Sequence, residues 1–237
     1  GSNDDNLYAI NDDGSLRFIF EASADIETSP SFVNYINSCY ILFGDNDGNL
    51  YAINEDGQLY PGFPINTEGN IIGSVVVANL NSDMFPEIIF GTDTGDMHIM
   101  HLDGSTYNHS PISFPFSYHS APIIRDIDSD GDLEILAGTS LSINAIDIKE
   151  EGHVDGYWSM YKGGSMRRGF HAFAPECSPG DINEDGSIDV LDITQQVNFI
   201  LEITEPTSAQ MCASNINLDA NLDLLDIVLL VSIVLNQ

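Results

Sequence analysis

Short apolar runs broken by Asp, Asn, Gly and Ser dominate roughly the first 170 residues. The runs Ile41-Leu-Phe-Gly44, Ile88-Ile-Phe-Gly91 and Ile135-Leu-Ala-Gly138 each end in glycine and stand 47 residues apart. A second series keeps step: Leu7-Tyr-Ala-Ile-Asn11, Leu50-Tyr-Ala-Ile-Asn54, Met97-His-Ile-Met-His101 and Ile143-Asn-Ala-Ile-Asp147. A third precedes the glycine runs, at Ser29-Pro-Ser-Phe-Val33, Ser74-Val-Val-Val77 and Ser120-Ala-Pro-Ile-Ile124. Three series in register make an internal repeat. The runs are rich in Ile, Val, Tyr and Phe, and are too short for helices, so each unit predicts four short strands. Asp47-Gly48, Asp56-Gly57 and Asp103-Gly104 suit tight hairpins, because glycine accepts positive φ. Four-stranded units at this period predict β-propeller blades. The count is three full units and a leading half unit from Leu7 to about Phe20, fewer than the four blades a ring needs, so the expectation is part of a larger propeller, or a fragment that closes by pairing with another copy.

From Pro175 the pattern changes. Helical spacing appears over about Val190–Glu202, with Leu191, Val197, Ile200 and Leu201 on the apolar side, and again over Leu225–Leu235. Each helix follows an acidic loop, and Ser178-Pro-Gly180 excludes a helix before the first loop. The predicted fold class is therefore mostly β, about 3.5 four-stranded blades over residues 3–172, followed by a small helical module over 173–237.

Charge sharpens this picture. The 237 residues carry 37 carboxylates against six Lys and Arg, a formal net charge of -31. Nucleic acid and anionic membrane surfaces select clustered Lys and Arg, so neither is a partner. The longest apolar stretch, Ile227–Leu235, is far short of the ~20 residues a membrane span needs. Hydrophobic residues at 43% suffice for packed cores. Gly1-Ser2 reads as a remnant of expression cloning, so a missing signal peptide carries no information.

The acid is clustered. Asp126-Ile-Asp128-Ser-Asp130-Gly131, Asp181-Ile-Asn183-Glu-Asp185-Gly186 and Asn215-Ile-Asn217-Leu-Asp219 place oxygen ligands on alternate residues. Two unit charges ~4 Å apart repel by roughly 4 kcal/mol at an effective dielectric of 20. A hard divalent cation removes that cost, and calcium prefers such ligands. In the first C-terminal loop, Asp181, Asn183, Asp185, Asp189 and Asp192 stand at positions 1, 3, 5, 9 and 12, with the Ser187 carbonyl at position 7 and Gly186 at the sharp turn. The second copy, 34 residues on, offers Asn215, Asn217, Asp219, Asn221, Asp223 and Asp226. Its sixth position is Ala220, where a left-handed backbone costs on the order of 1 kcal/mol, so weaker calcium is expected there.

Two families are resembled. Asp126, Asp128, Asp130, Gly131 and Glu134, ahead of a strand ending in Gly138, resemble the calcium loop of FG-GAP (VCBS-type) propellers, with Asp132 inside the same loop. The copy before it, Asn79, Asn81, Asp83 and Glu87, has lost charge and glycine, and Asn34-Tyr-Ile-Asn-Ser in the first full blade reads as metal-free. Two loop–helix units joined by a linker holding Pro206 resemble a type I dockerin. That resemblance implies Ca2+ as cofactor and a cohesin domain of a scaffoldin or cell-surface protein as partner. It also implies recognition positions Val190, Leu191, Leu224 and Leu225, apolar where the well-known cellulosomal kind carries Ser-Thr, and a secreted, bacterial cell-surface setting in a cellulosome-like assembly. Cys177 and Cys212 precede the two loops and can pair; a bridge closing about 35 residues would contribute ~3–4 kcal/mol and fits an oxidising compartment. Cys39 reads as a buried apolar residue.

No nucleophile–base set stands out, and the six His show no metal-protease spacing. The expectation is a non-catalytic binding or spacer domain, with no catalytic residue and the propeller face open to a carbohydrate or protein ligand. The rivals are a dockerin-bearing polysaccharide lyase and an integrin-like adhesion surface. The segment Gly156–Gly169 holds Trp158 and three of the six basic residues, Lys162, Arg167 and Arg168. It reads as a closing strand with Trp158 in the core, or alternatively as an anion or sugar site.

Overall fold

The computed structural model describes residues 1–35, 38–81, 85–154, 156–169, 179–201, 203–216 and 222–235. The chain divides into two compact units, Gly1–His171 and Ala172–Gln237.

The first unit is built from β1 (Asn6–Ile10), β2 (Leu16–Glu21), β3 (Ser31–Tyr35), β4 (Ser38–Gly44), β5 (Asn49–Asn54), β6 (Ile65–Asn66), β7 (Val76–Ala78), β8 (Glu87–Gly91), β9 (Asp96–His101), β10 (Ile112–Ser113), β11 (Ile123–Arg125), β12 (Asp132–Gly138) and β13 (Ile143–Glu151). They form four antiparallel meanders: β1-β2, β3-β4-β5-β6, β7-β8-β9-β10 and β11-β12-β13. The repeat is exact in register, since Gly44 pairs with Leu50, Gly91 with Met97 and Gly138 with Ile143.

Period-two alternation stacks the sheets. In β4 and β5, Leu42, Leu50 and Ala52 enter the core shared with β7–β10, while Phe43, Tyr51 and Ile53 enter the core shared with β1-β2. In β8, Ile88 and Phe90 face one side and Ile89 the other, where it meets Ile124 and Ile135 of the next sheet. Each fully buried Leu, Ile or Phe contributes ~1.5–3 kcal/mol, so the stacked faces dominate this unit's stability.

The structure departs from the expected four-stranded pattern at the trailing end, while the leading half unit is the two-stranded sheet β1-β2. The third full unit has three strands rather than four, because the chain leaves after Glu151. No closed ring of sheets is formed among the described residues. The segment after β13 is not a strand: Trp158 O accepts from Val77 N at 3.0 Å, and Ser159 O from Ile124 N at 2.9 Å. Tyr161–Gly163 then makes a short 3-10 turn. Trp158 is buried, its ring edge-on to Phe32 at 5.2 Å.

The second unit contains α1 (Val190–Ile200), α2 (Ser208–Ser214) and α3 (Leu224–Leu235). Asp192, Gln196 and Phe199 form the buried side of α1, and Asp226 and Leu230 that of α3, at helical spacing. Ile182, Phe199, Ala213 and Leu230 form the core, joined by Ile188 and Leu222 from position 8 of the two loops. Helix α2 lies in what the sequence reading leaves as a linker. Its start is a capping box in which Thr207 Oγ1 accepts from Gln210 N and Gln210 Oε1 accepts from Thr207 N. Helix α3 begins one residue earlier than expected.

The strand-ending glycines have a spatial cause. A Cβ on Gly44 would sit 2.4 Å from Ile71, and one on Gly91 2.4 Å from Cβ of Tyr118, each a residue leading into the next sheet. At Gly138 the nearest atom would be Ser120 Oγ at 3.5 Å. Gly91→Ala should therefore cost about 1–3 kcal/mol of stability through overpacking, and Gly138→Ala less than about 0.5 kcal/mol. Urea denaturation of the two variants reads the difference.

Candidate metal centres

Four acid-rich loops close in the same way. In each, the N–H of the second loop residue donates to the carboxylate that ends the loop. Leu80 N donates to Glu87 Oε2 at 2.7 Å and Ile127 N to Glu134 Oε2 at 2.7 Å. Ile182 N donates to Asp192 Oδ1 at 2.7 Å and Ile216 N to Asp226 Oδ1 at 2.9 Å. Charge-assisted bonds of this kind are about twice as strong as neutral ones, and each closing group except Asp226 and Asp192 sits on or beside a strand. Those two sit in the first turn of α3 and α1, where the helix dipole favours negative charge.

The loop between β11 and β12 gathers the most carboxylate. Oxygens of Asp128, Asp130, Asp132 and Glu134 lie within 4.8 Å of one another. Asp126, expected as the first ligand, accepts from Ser129 N at 2.6 Å and Gly131 N at 3.3 Å. Glu134 is 7% exposed, and its Oε1 is buried without a hydrogen-bond partner, as is Asp132 Oδ1. A hydrogen bond shared with Asp130, with desolvation and that neighbour's charge, pushes the Asp132 carboxyl up to about 6. Desolvation and Asp130 raise Asp128 as well. A crowd of oxygens within 4.8 Å of one another, with two buried acceptors unfilled, fits a cation.

Sequence reading missed Lys149. It reaches this loop because β13 pairs with β12, and its Nζ lies 3.6 Å from Asp132 and 3.9 Å from Asp130 while bonding Asp147 at 2.5 Å. The pairing of Glu134 with Asp147 was the available signal, since it brings the residue two further along β13 toward the loop. The preceding copy is built differently. Glu87 is fully buried and pairs in register with His101, whose Nδ1 lies 3.3 Å from Glu87 Oε1. An imidazole thus stands where the next sheet has a further carboxylate, Asp147. Asp83 lies outside the described residues.

In the first C-terminal loop the oxygens are turned onto the loop's own amides. Asp181 accepts from Asp185 N at 3.1 Å and Gly186 N at 3.0 Å, and Asn183 Oδ1 from Asp185 N at 2.9 Å. Asp192, fully buried, also accepts from Asn183 N at 3.0 Å and, through Oδ2, from Asp189 N at 2.8 Å. Gly186 holds φ at +85°, the turn that position 6 requires. Asp189 caps α1 by accepting from Leu191 N at 2.7 Å. The second loop repeats this frame 34 residues on: Asp226 Oδ2 accepts from Asp223 N at 3.0 Å, and Asp223 Oδ1 from Leu225 N at 2.7 Å. Asn215 opens it, while Asn217, Asp219 and Asn221 lie outside the described residues. Ser187 follows Gly186, its N–H donating to Asp185 Oδ1 at 2.9 Å.

Val190, Leu191, Leu224 and Leu225, at positions 10 and 11 of the two loops, are 63%, 57%, 72% and 52% exposed. They therefore do not fill the module's own core. Cys212 is disulfide-bonded, and Cys177 lies outside the described residues. Cys39 is a free, buried thiol that burial pushes up to about 12. Among the described residues no helix is long and apolar enough to cross a membrane.

Residues 179–235 match the family model of the dockerin type I domain. Such domains bind calcium and cohesin domains. No curated protein matches the chain. Among solved structures, the chain is similar to two crystal structures of BBS1N in complex with ARL6DN, one soaked with mercury and one with lead. Both are 13% identical, with TM-scores of 0.45 and 0.46, over 64% of this chain and 47% and 43% of theirs. The chain thus spans less than half the length of those chains.

Glu134→Gln should weaken calcium binding at the β11–β12 loop at least tenfold, about 1.4 kcal/mol. Glu87→Gln should leave the number of bound calcium ions unchanged. Isothermal titration of the intact chain reads both.

Proposed function

We propose that the chain is a secreted calcium-binding protein whose C-terminal dockerin anchors it to a cohesin domain of a scaffoldin or bacterial cell-surface protein, in a cellulosome-like extracellular assembly. The observation that carries this reading is the doubled loop–helix frame within a dockerin type I match, with an exposed aliphatic pair at positions 10 and 11 of each loop. Calcium in the first loop is held by Asp181, Asn183, Asp185, Asp189, Asp192 and the Ser187 carbonyl. The second site uses Asn215, Asn217, Asp219, Asn221, Asp223 and Asp226. Neutralising these groups fixes the first turns of α1 and α3, and with them the exposed residues Val190, Leu191, Leu224 and Leu225. An aliphatic contact face calls for an apolar patch on the cohesin. The module has eleven acidic residues from Glu176 onward and no Lys or Arg, so a basic rim on the partner would complement it.

The disulfide at Cys212, with Cys39 a free thiol, supports pairing with Cys177. That bridge ties the two loops together and suits an oxidising extracellular setting. Residues 3–172 act as FG-GAP-type propeller blades, stiffened by calcium at Asp126, Asp128, Asp130, Asp132 and Glu134. They serve as a non-catalytic binding or spacer body; the register-exact repeat and stacked sheets support this.

Two variants test the anchor. Asp181→Ala with Asp192→Ala should abolish cohesin capture, as should a chelator with the native chain. Val190→Asp with Leu224→Asp should weaken capture by at least ~100-fold, as loss of central apolar contacts does, with calcium binding retained. Surface plasmon resonance against a panel of immobilised cohesins measures both, and undiminished capture by either variant contradicts the assignment.

A further inference from the structure

We propose that the cavity where the leading ends of β3, β7 and β11 converge binds a neutral saccharide of one or two rings. The cavity measures about 380 Å³, within the ~300–1,000 Å³ of small-ligand sites. Its wall repeats the sequence period. Ser29, Ser74 and Ser120 hold equivalent places ahead of the first strands of three successive sheets, and all three line it. The strand ends are drawn together by direct bonds: Ser29 N donates to Ser74 Oγ at 2.9 Å, and Ser31 Oγ to Val75 O at 2.5 Å. A Cβ on Gly73 would lie 2.6 Å from the Ser120 backbone, so glycine is needed for that approach.

The chain after β13 completes the wall. Tyr161 and Arg167 line the cavity beside His119, and Tyr161 Oη lies 3.4 Å from Ser29 Oγ. Arg167 is one of only six basic residues in a chain of net charge -31. It shares this wall with Glu27. One guanidinium and one carboxylate leave the lining close to neutral, and both are planar groups able to bond neighbouring hydroxyls in pairs. Ile123 and the Tyr161 ring offer apolar surface for the C–H face of a sugar. Clustered hydroxyls, an acid and a base on one wall, and a partly exposed aromatic ring match a polyhydroxylated neutral ligand. The charge of the whole chain repels polyanions. This inference builds on the reading of residues 3–172 as a binding body and is independent of the dockerin.

Trp158 is the only tryptophan, and Gly163 packs against its ring just after Tyr161, so its fluorescence reports on the cavity. The intact chain is titrated with maltose, cellobiose and lactose, and with digalacturonate as the acidic probe. At least one neutral disaccharide should give a saturable change below about 10 mM, confirmed by calorimetry. Arg167→Ala should weaken it at least tenfold and Arg167→Lys less, with melting temperature and cohesin capture unchanged. Absence of saturable binding by all three neutral sugars, equal binding by Arg167→Ala, or tighter binding of digalacturonate would overturn the proposal. Retained cohesin capture in those cases leaves the anchoring role standing.

Discussion

The structure depends on one recurring contact: a carboxylate at the end of an acidic loop accepts the N–H of the residue next to the loop's first acid or amide. Glu87, Glu134, Asp192 and Asp226 each do this at 2.7–2.9 Å, in two units with different architectures. The contact closes a loop of eight to eleven residues onto itself, and it places a negative charge where several others already crowd. Local closure and charge accumulation are therefore the same event. The cost of the second is what a bound cation or a lysine such as Lys149 offsets.

The units use the closed loop for different ends. In the sheet unit it joins a first strand to a second, and the stacked faces supply the stability. In the helical unit it delivers the N-terminus of a helix, and among the described residues the core is small, Ile182, Phe199, Ala213 and Leu230 with Ile188, Ile193, Ile216, Leu222 and Val234 packed against it. A core of that size leaves a module of this length marginal on its own. Metal and disulfide therefore matter more in the C-terminal unit than in the sheets, where Leu42, Phe43, Phe90 and Ile89 are fully enclosed.

Much of this was legible in the sequence, for identifiable reasons. Gly44 and Gly91 stood out because a neighbouring sheet approaches too closely for a side chain, and the spacing of such residues is the repeat itself. Gly138 carries the same signature, but among the described residues no neighbouring sheet approaches it as closely. The acidic loops were visible because alternate oxygen ligands have few other uses. Helix α2 was overlooked although Thr207 and Gln210 spell its capping box, since seven residues after Pro206 show too little periodicity. Asp126 and Asp181, the first residues of their loops, both also accept from their loops' amides, a detail that depends on side-chain rotation and not on spacing. Lys149 was invisible until strand pairing carried it to Asp130 and Asp132.

The central claim is that a cation, not the peptide alone, keeps the C-terminal loops and the helix starts they carry in one shape. Hydrogen exchange of the intact chain, followed by mass spectrometry with calcium and then with chelator, tests it most directly. The account predicts that chelation strips protection from the amides of Ile182, Asn183, Asp189 and Asp223 and from α1 and α3, while β4, β5 and β8 exchange as before. Unchanged protection across residues 179–235 would contradict it.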